Sequence, residues 1–564
     1  MAFYKLNIES GTFSEPILQN DILQTAEAYL HHYLFYDNWI AKYAAILLFL
    51  YGLYKLLTCK STAVYPQFLP PEKYPCSLKG KSNCCGALFL LLCFAVYAFN
   101  LYAQEMSFFA SYDAMGPNNM LVLHQGITPM WGYNRRFSPV AFWDNNLVYA
   151  ITHNHLLISG YVLAQAALII GLLFRLLNFI PVGKRCCIIG LLVVAPQFMW
   201  TNSIIFPERL LLVYILCSLI FFQKYGENPQ RTSNLWYGIL FTNMAIYTKE
   251  STILFYFGIL PYSFIYNLMR EKIVLKSFLH PLRTARQFPL EILLAASMII
   301  FAVFYLCNVY AIADSPYISL RRREICESLR FYRPEIVGLA AAVLIWLLQL
   351  KKKQSYFLSG GLLLGSVVLT AFVVLYLRLV PFSNQVAHKN YYLLLPAGFV
   401  LIYVLQKIKS NKIFWVVSSL LFAGFLGQNI YIFGKEEGKY YRQTAEFITS
   451  RPEPLSVFIS AHSEPRPWWD FCWLSAYKYY WPHKKILFKL ASFQIYPSDE
   501  MFLGYLNTHP EIFHPSVAAT VPTSGDIYVV KTNGNYYETD MQPILELPHR
   551  LIYKNPVFEI YRIE

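Results

Sequence analysis

Apolar residues fall into long, nearly unbroken runs separated by short polar stretches. The runs predict about twelve membrane spans, near 39–57, 84–103, 155–177, 187–206, 209–223, 235–248, 251–268, 288–312, 335–350, 357–378, 391–406 and 413–433. Most approach the roughly 20 apolar residues a helix needs to cross a bilayer. The fifth and sixth are shorter, which predicts partial or tilted insertion. After Gly434 the pattern changes to short alternating runs. Strands are predicted at Ser456–Ile459, Ile486–Leu490, Asp526–Lys531 and Val557–Tyr561, with an amphipathic helix over Tyr440–Thr449. The expected architecture is an α-helical polytopic membrane protein in three parts: an N-terminal segment 1–38, a multi-span region 39–433 with a long loop 104–154, and an α/β domain 434–564.

Composition narrows the class further. Of 564 residues, 14% are charged and 56% hydrophobic, against about 25% charged in soluble globular proteins. The mean hydropathy is +0.37. Too little charge remains to cover a soluble particle of this size, so soluble enzymes, disordered chains and disulfide-rich secreted proteins are excluded. Lys and Arg number 47 against 33 Asp and Glu. Most of that surplus falls in alternate loops: Lys60 to Lys81, Lys184 and Arg185, Lys224 and Arg231, Arg270 to Arg286, Lys351 to Lys353, and Lys407 to Lys412. These loops read as cytoplasmic by the positive-inside rule, so the surplus calls for no nucleic-acid partner. Segment 1–38, loop 104–154 and the tail then face outward, where Cys326 and Cys472 allow at most one disulfide. No Cys or His spacing suggests a zinc site, and neither a cofactor nor a divalent metal is implied. No cleaved signal peptide is expected, and the absence of any N-x-[ST] sequon favours a bacterial inner membrane.

Several outward residues carry candidate chemistry. Loop 104–154 is long and rich in aromatics, with Glu105, Asp113 and Asp144 as carboxylates and Arg135 and Arg136 as adjacent cations. A carboxylate beside an apolar layer is placed to act as a base, because desolvation disfavours its charged form. Two tight turns each set an acid beside a base, Glu208-Arg209 and Lys249-Glu250, and His388-Lys389 precedes the eleventh span. Outward cations run against the positive-inside tendency, and an anionic lipid head group would account for them. The basic block 321–333 reads as an interfacial amphipathic helix. In the tail, Trp468 and Trp469 belong to an aromatic cluster that suits either a membrane-interface belt or stacking on an acceptor sugar. His153 and His155 read as interface histidines.

A polytopic chain whose first long outward loop carries an acid soon after a span resembles the GT-C superfamily of membrane glycosyltransferases. Trp131 to Pro139, reading WGYNRRFSP, resembles a segment of bacterial O-antigen glucosyltransferases of the GtrII type, with Asn134 where those carry Gly. Lys249-Glu250 is similar to the Lys-Glu pair of protein O-mannosyltransferase-like members. The resemblance implies transfer of a sugar from a polyprenyl-phosphate carrier to a glycan, lipid or protein acceptor on the outward face. In that reading Asp113 is the preferred base and Glu105 its alternative, while Arg135, Arg136, Arg209, Lys249, His388 and Lys389 hold the lipid phosphate. Glu208, Glu250 and Asp144 support them. A base must take the acceptor hydroxyl's proton as it attacks, and the departing phosphate, already an anion, needs cations. Two other readings share parts of the pattern: a polymerase or ligase of lipid-linked oligosaccharides, and a transporter or flippase. The latter is disfavoured because charges gather at span ends rather than at midplane.

Overall fold

The computed structural model describes residues 39–58, 74, 80–103, 140–141, 143–151, 155–199, 201, 207–271, 285–306, 328–330, 332–351, 357–377, 393–433, 438–452, 455–459, 486–490, 521–532 and 537–564. The apolar runs form helices α1 (Trp39–Thr58), α2 (Lys81–Ala103), α4 (His155–Leu176), α5 (Val182–Val194), α7 (Glu208–Glu227), α8 (Ser233–Thr248), α9 (Thr252–Glu271), α10 (Pro289–Tyr305), α11 (Arg333–Lys351), α12 (Phe357–Ala371), α13 (Leu394–Leu405) and α14 (Asn411–Phe433). Two shorter helices, α3 (Trp143–Ile151) and α6 (Pro196–Met199), lie between them. Four described helices, Lys81–Tyr102, Leu156–Leu176, Glu208–Glu227 and Asn411–Ile430, are long and apolar enough to cross a bilayer. The protein is accordingly a helical membrane protein, and many of its large apolar side chains, such as Leu48, Leu88, Phe99 and Leu420, point outward.

Three expectations are corrected. The run 187–206 is not one helix: α5 ends at Ala195, whose ψ of 135° is extended. Pro196 enforces this, since the residue before a proline is pushed out of the helical region. The freed Val194 carbonyl accepts a hydrogen bond from Asn429 Nδ2 of α14 at 2.8 Å. The fifth run is not short, because α7 continues through Gln223 and Lys224 to Glu227, 20 residues in all. Its polar final turn hid that length. The long loop also contains α3, whose first turn carries Asp144.

Helix packing is closest where glycines face each other. A Cβ on Gly86 of α2 would collide with the Gly183 backbone of α5, and one on Gly258 of α9 with the Gly365 backbone of α12. Small residues of this kind let backbones approach, as in other membrane bundles.

Basic loops from different parts of the chain meet at one end of the bundle. Lys184 Nζ donates to the Ile408 carbonyl at 2.9 Å, and Gly183 N donates to Asn83 Oδ1 at 3.0 Å. Arg185 is 2% exposed and gathers carbonyls: Ile180 (2.8 Å), Asn178 (2.9 Å), Tyr74 (3.1 Å) and Phe174 (3.4 Å). Its guanidinium also lies over the Phe174 ring at 5.2 Å. A residue read as part of a cytoplasmic loop thus caps carbonyls at the end of α4.

The tail region holds a five-stranded mixed sheet, with β1 (Leu455–Ile459), β2 (Ile486–Leu490), β3 (Ile527–Lys531), β4 (His549–Lys554) and β5 (Phe558–Ile563) in the order β2-β1-β3-β5-β4. Strand β1 pairs parallel with β2 and β3, while β5 runs antiparallel to β3 and β4. Helix α15 (Gly438–Thr449) matches the predicted amphipathic helix, and α16 (Tyr537–Leu545) packs Met541 and Ile544 onto Phe458, Tyr528 and Val530. Strand β4 and α16 were not predicted. Strand β4 has a burial pattern without alternation, and α16 carries an internal proline.

Buried Glu559 ties β5 to its neighbours: Tyr537 and Tyr561 donate to Oε2, and Lys554 pairs with Oε1 at 2.6 Å. Burial opposes its ionisation, but these donors outweigh burial and hold the carboxyl below its ordinary range. Since the folded value is the lower one, the carboxylate stabilises the fold above a pH of about 4.3 and loses that effect as pH falls through the folded value. Glu559→Gln is expected to speed hydrogen exchange of 549–564 at neutral pH and to match wild type at acidic pH. The cost at neutral pH should be about 1–3 kcal/mol.

Candidate functional site

Opposite the basic loops, a second group of charges is built into the bundle. Helix α7 begins with Glu208 and Arg209, directly after Pro207. Helix α8 ends at Thr248, and Lys249 leaves it in an extended conformation with φ −152° and ψ 120°. These termini lie together, so Lys249 Nζ pairs with Glu208 Oε1. Both are buried, at 7% and 3% exposure. The pair is therefore desolvated: its attraction is little screened but its burial is costly, and removing Lys249 would leave Glu208 a buried carboxylate without its cation.

Arg209 is 1% exposed and belongs to a second branch. Its Nε donates to Gln165 Oε1 at 2.8 Å, and Gln165 Nε2 donates to Asp144 Oδ2 at 2.7 Å. Tyr161 OH donates to the same Asp144 oxygen at 2.6 Å. Trp143 Nε1 donates to Tyr214 OH at 2.9 Å, which fixes α3 against α7. A neutral amide thus stands between guanidinium and carboxylate, and Asp144 acts as the anchor that orients Gln165. Gln165 is ten residues into α4, so α7 begins roughly 15 Å along α4 from its first residue. The charges sit at the ends of α7 and α8 but beside the middle of α4, and this recess within the bundle explains their burial.

The long loop returns to this place. Val140 N donates to the Tyr247 carbonyl at 3.1 Å, two residues before Lys249. Beside the Glu208–Lys249 pair is a cavity of about 20 Å³, lined by Glu208, Leu211, Lys249, Ser251, Thr252, Leu369, Leu394 and Leu395. Its walls come from α7, α9, α12 and α13, and one side is charged while the other is aliphatic. Such a surface suits a ligand with an anionic head and an apolar body. Helix α12 continues into a π-helical turn, Phe372–Leu377, whose Val374 carbonyl accepts from Ser328 Oγ at 2.7 Å.

Of the residues singled out by sequence, Glu208 and Lys249 form one buried pair, Arg209 and Asp144 are joined through Gln165 in another branch, and half-buried Glu250 lies in the adjoining turn. Glu105, Asp113, Arg135, Arg136, His388, Lys389, Trp468 and Trp469 lie outside the described residues, as do segment 1–38, the Trp131–Pro139 motif, His153, most of block 321–333, Cys326 and Cys472. The sequence reading missed Tyr161, Gln165 and Thr252. For Gln165 a signal existed, since it is a lone amide in the apolar helix α4, and a polar group there needs partners. Among the described residues, no group of three or more His, Cys, Asp or Glu could hold a metal ion.

No protein-family model matches the chain, and no curated protein matches it. Among solved structures, ArnT from Cupriavidus metallidurans in the apo state is similar at a TM-score of 0.47 and 14% sequence identity, over 84% of this chain and 97% of that one. A likeness of that extent assigns neither fold nor activity here.

Proposed function

We propose that this chain is a membrane glycosyltransferase of the GT-C type that moves a sugar from a polyprenyl-phosphate carrier to a glycan, lipid or protein acceptor on the outward face of a bacterial inner membrane. The observation that carries this reading is the buried Glu208–Lys249 pair beside an aliphatic-walled cavity, with buried Arg209 at the next position of α7. A buried cation next to apolar walls suits a lipid phosphate, with the head group at Lys249, the prenyl chain toward Leu211, Leu369, Leu394 and Leu395, and Arg209 as a second cation from the next position of α7.

In this reading Asp113, or Glu105 in its place, takes the proton from the acceptor hydroxyl as that oxygen attacks the anomeric carbon. The bond to the phosphate oxygen breaks, and the anionic carrier leaves against Arg209 and Lys249, with Arg135, Arg136, His388 and Lys389 as further cations. Trp468 and Trp469 provide a stacking surface for the acceptor. Buried cations act here as preorganised charge, effective because water does not screen them.

The reading is tested by binding. Arg209→Ala and Lys249→Ala are each expected to weaken binding of a polyprenyl phosphate by roughly tenfold or more, measured on purified protein in detergent, with cell-envelope glycans compared by mass with and without the gene. Unchanged binding in both variants would remove the phosphate site.

A further inference from the structure

Resting on that reading, we propose that Glu208 is a resident counter-ion occupying the seat of the ligand's phosphate, and that Lys249 exchanges this carboxylate for the phosphate when the lipid binds.

Three observations place an anion's seat at Glu208. First, the carboxylate lies in the first turn of α7, where the unpaired N–H groups of the helix favour negative charge. Second, one oxygen is used by Lys249, while the other, Oε2, accepts no hydrogen bond among the described residues although the side chain is 4% exposed. A buried carboxylate satisfied on one side only is an expensive arrangement, and one that a better acceptor can displace. Third, Thr252 Oγ1 is likewise buried and without a partner among the described residues, and it lines the same cavity. Lys249 and Thr252 together present an ammonium and a hydroxyl donor, the groups a phosphate takes.

The cavity itself is too small for a phosphate, since about 20 Å³ accommodates little more than a water molecule. Something must leave before a phosphate enters, and the half-satisfied carboxylate is the group whose departure vacates both the space and Lys249's charge. Glu208 then keeps Lys249 compensated in the empty protein and sets how strongly the lipid is held. Affinity is lowered by the pair that has to be broken, which favours release of the spent carrier.

The test titrates full-length protein in detergent micelles with farnesyl phosphate, farnesol and inorganic phosphate, reading dissociation constants and melting midpoints. Glu208→Gln is expected to bind farnesyl phosphate about tenfold tighter than wild type, because the carboxylate of residue 208 no longer competes for Lys249. It should also show a larger ligand-induced rise in Tm, as the anion restores the missing counter-charge. Glu208→Asp, which keeps the charge but shortens its reach, should bind about threefold tighter and guards against poor folding of the glutamine variant. Lys249→Gln should bind weakly, and farnesol should shift nothing. Equal or weaker binding in both Glu208 variants, with Lys249→Gln impaired, overturns the exchange while leaving the lipid-phosphate site standing. Undiminished binding in Lys249→Gln overturns the exchange and removes Lys249 from the site. Inorganic phosphate binding as tightly as farnesyl phosphate would make the ligand a free phosphate and overturn the lipid assignment.

Discussion

Arg185→Ala is expected to destabilise the protein by roughly 3–5 kcal/mol, the largest stability effect of any single substitution considered. The side chain is almost fully buried and donates to four carbonyls, those of Tyr74, Phe174, Asn178 and Ile180. Three of these belong to the end of α4 and the turn into α5, where helical carbonyls lack the next turn's N–H, although Asn178 O also accepts from Tyr74 N at 2.9 Å. Alanine removes a donor from each of these carbonyls inside a desolvated turn, and it also removes the stacking on Phe174. Arg185→Lys should recover only part of the loss, since an ammonium on a flexible stem cannot reproduce a planar fork of donors. The measurement is thermal unfolding in detergent, followed by helical ellipticity. Equal midpoints for wild type and alanine variant would show that these carbonyls find water instead.

Asp113→Asn is expected to abolish sugar transfer, with a loss on the order of a thousandfold or more, while protein yield and binding of the polyprenyl phosphate stay near wild type. Asparagine preserves size and polarity but cannot accept the hydroxyl proton. The variant therefore separates proton transfer from phosphate binding, which the proposal assigns to Arg209 and Lys249. Glu105→Gln is the companion variant. A loss confined to Glu105→Gln would transfer the base to that residue, and full activity in both would end the mechanism. The readout is transfer from a lipid-linked sugar into envelope acceptors, followed by mass.

The membrane character of the chain was legible from its sequence because a span announces itself locally: α2, α4 and α14 are runs of apolar residues whose lengths match a bilayer. Failures occurred where local pattern and packing diverge. Pro196 breaks a continuous apolar run, and α7 carries Gln223 and Lys224 in its last turns, so hydropathy misplaced both boundaries. The tail strands β1, β2, β3 and β5 were found by their short alternating runs, whereas β4 holds His549, Arg550 and Lys554 and did not stand out. Within the candidate site, the sequence picked out Glu208, Arg209 and Lys249 because charges in apolar turns are costly.

Partners were a different matter, and the reason is physical. Hydropathy along the chain is a sum of independent residue preferences for oil or water, so segment lengths, helix positions and the uneven distribution of basic loops can be read one stretch at a time. Hydrogen bonds and ion pairs depend on atoms brought within about 3 Å of each other, and the residues involved are far apart in sequence: Arg209 reaches Gln165, Lys249 reaches Glu208, and Arg185 reaches Tyr74. Packing of α7 against α4 and α8 turned loop-edge charges into a recessed cluster, and packing at the opposite end turned a cytoplasmic-looking arginine into a buried carbonyl cap.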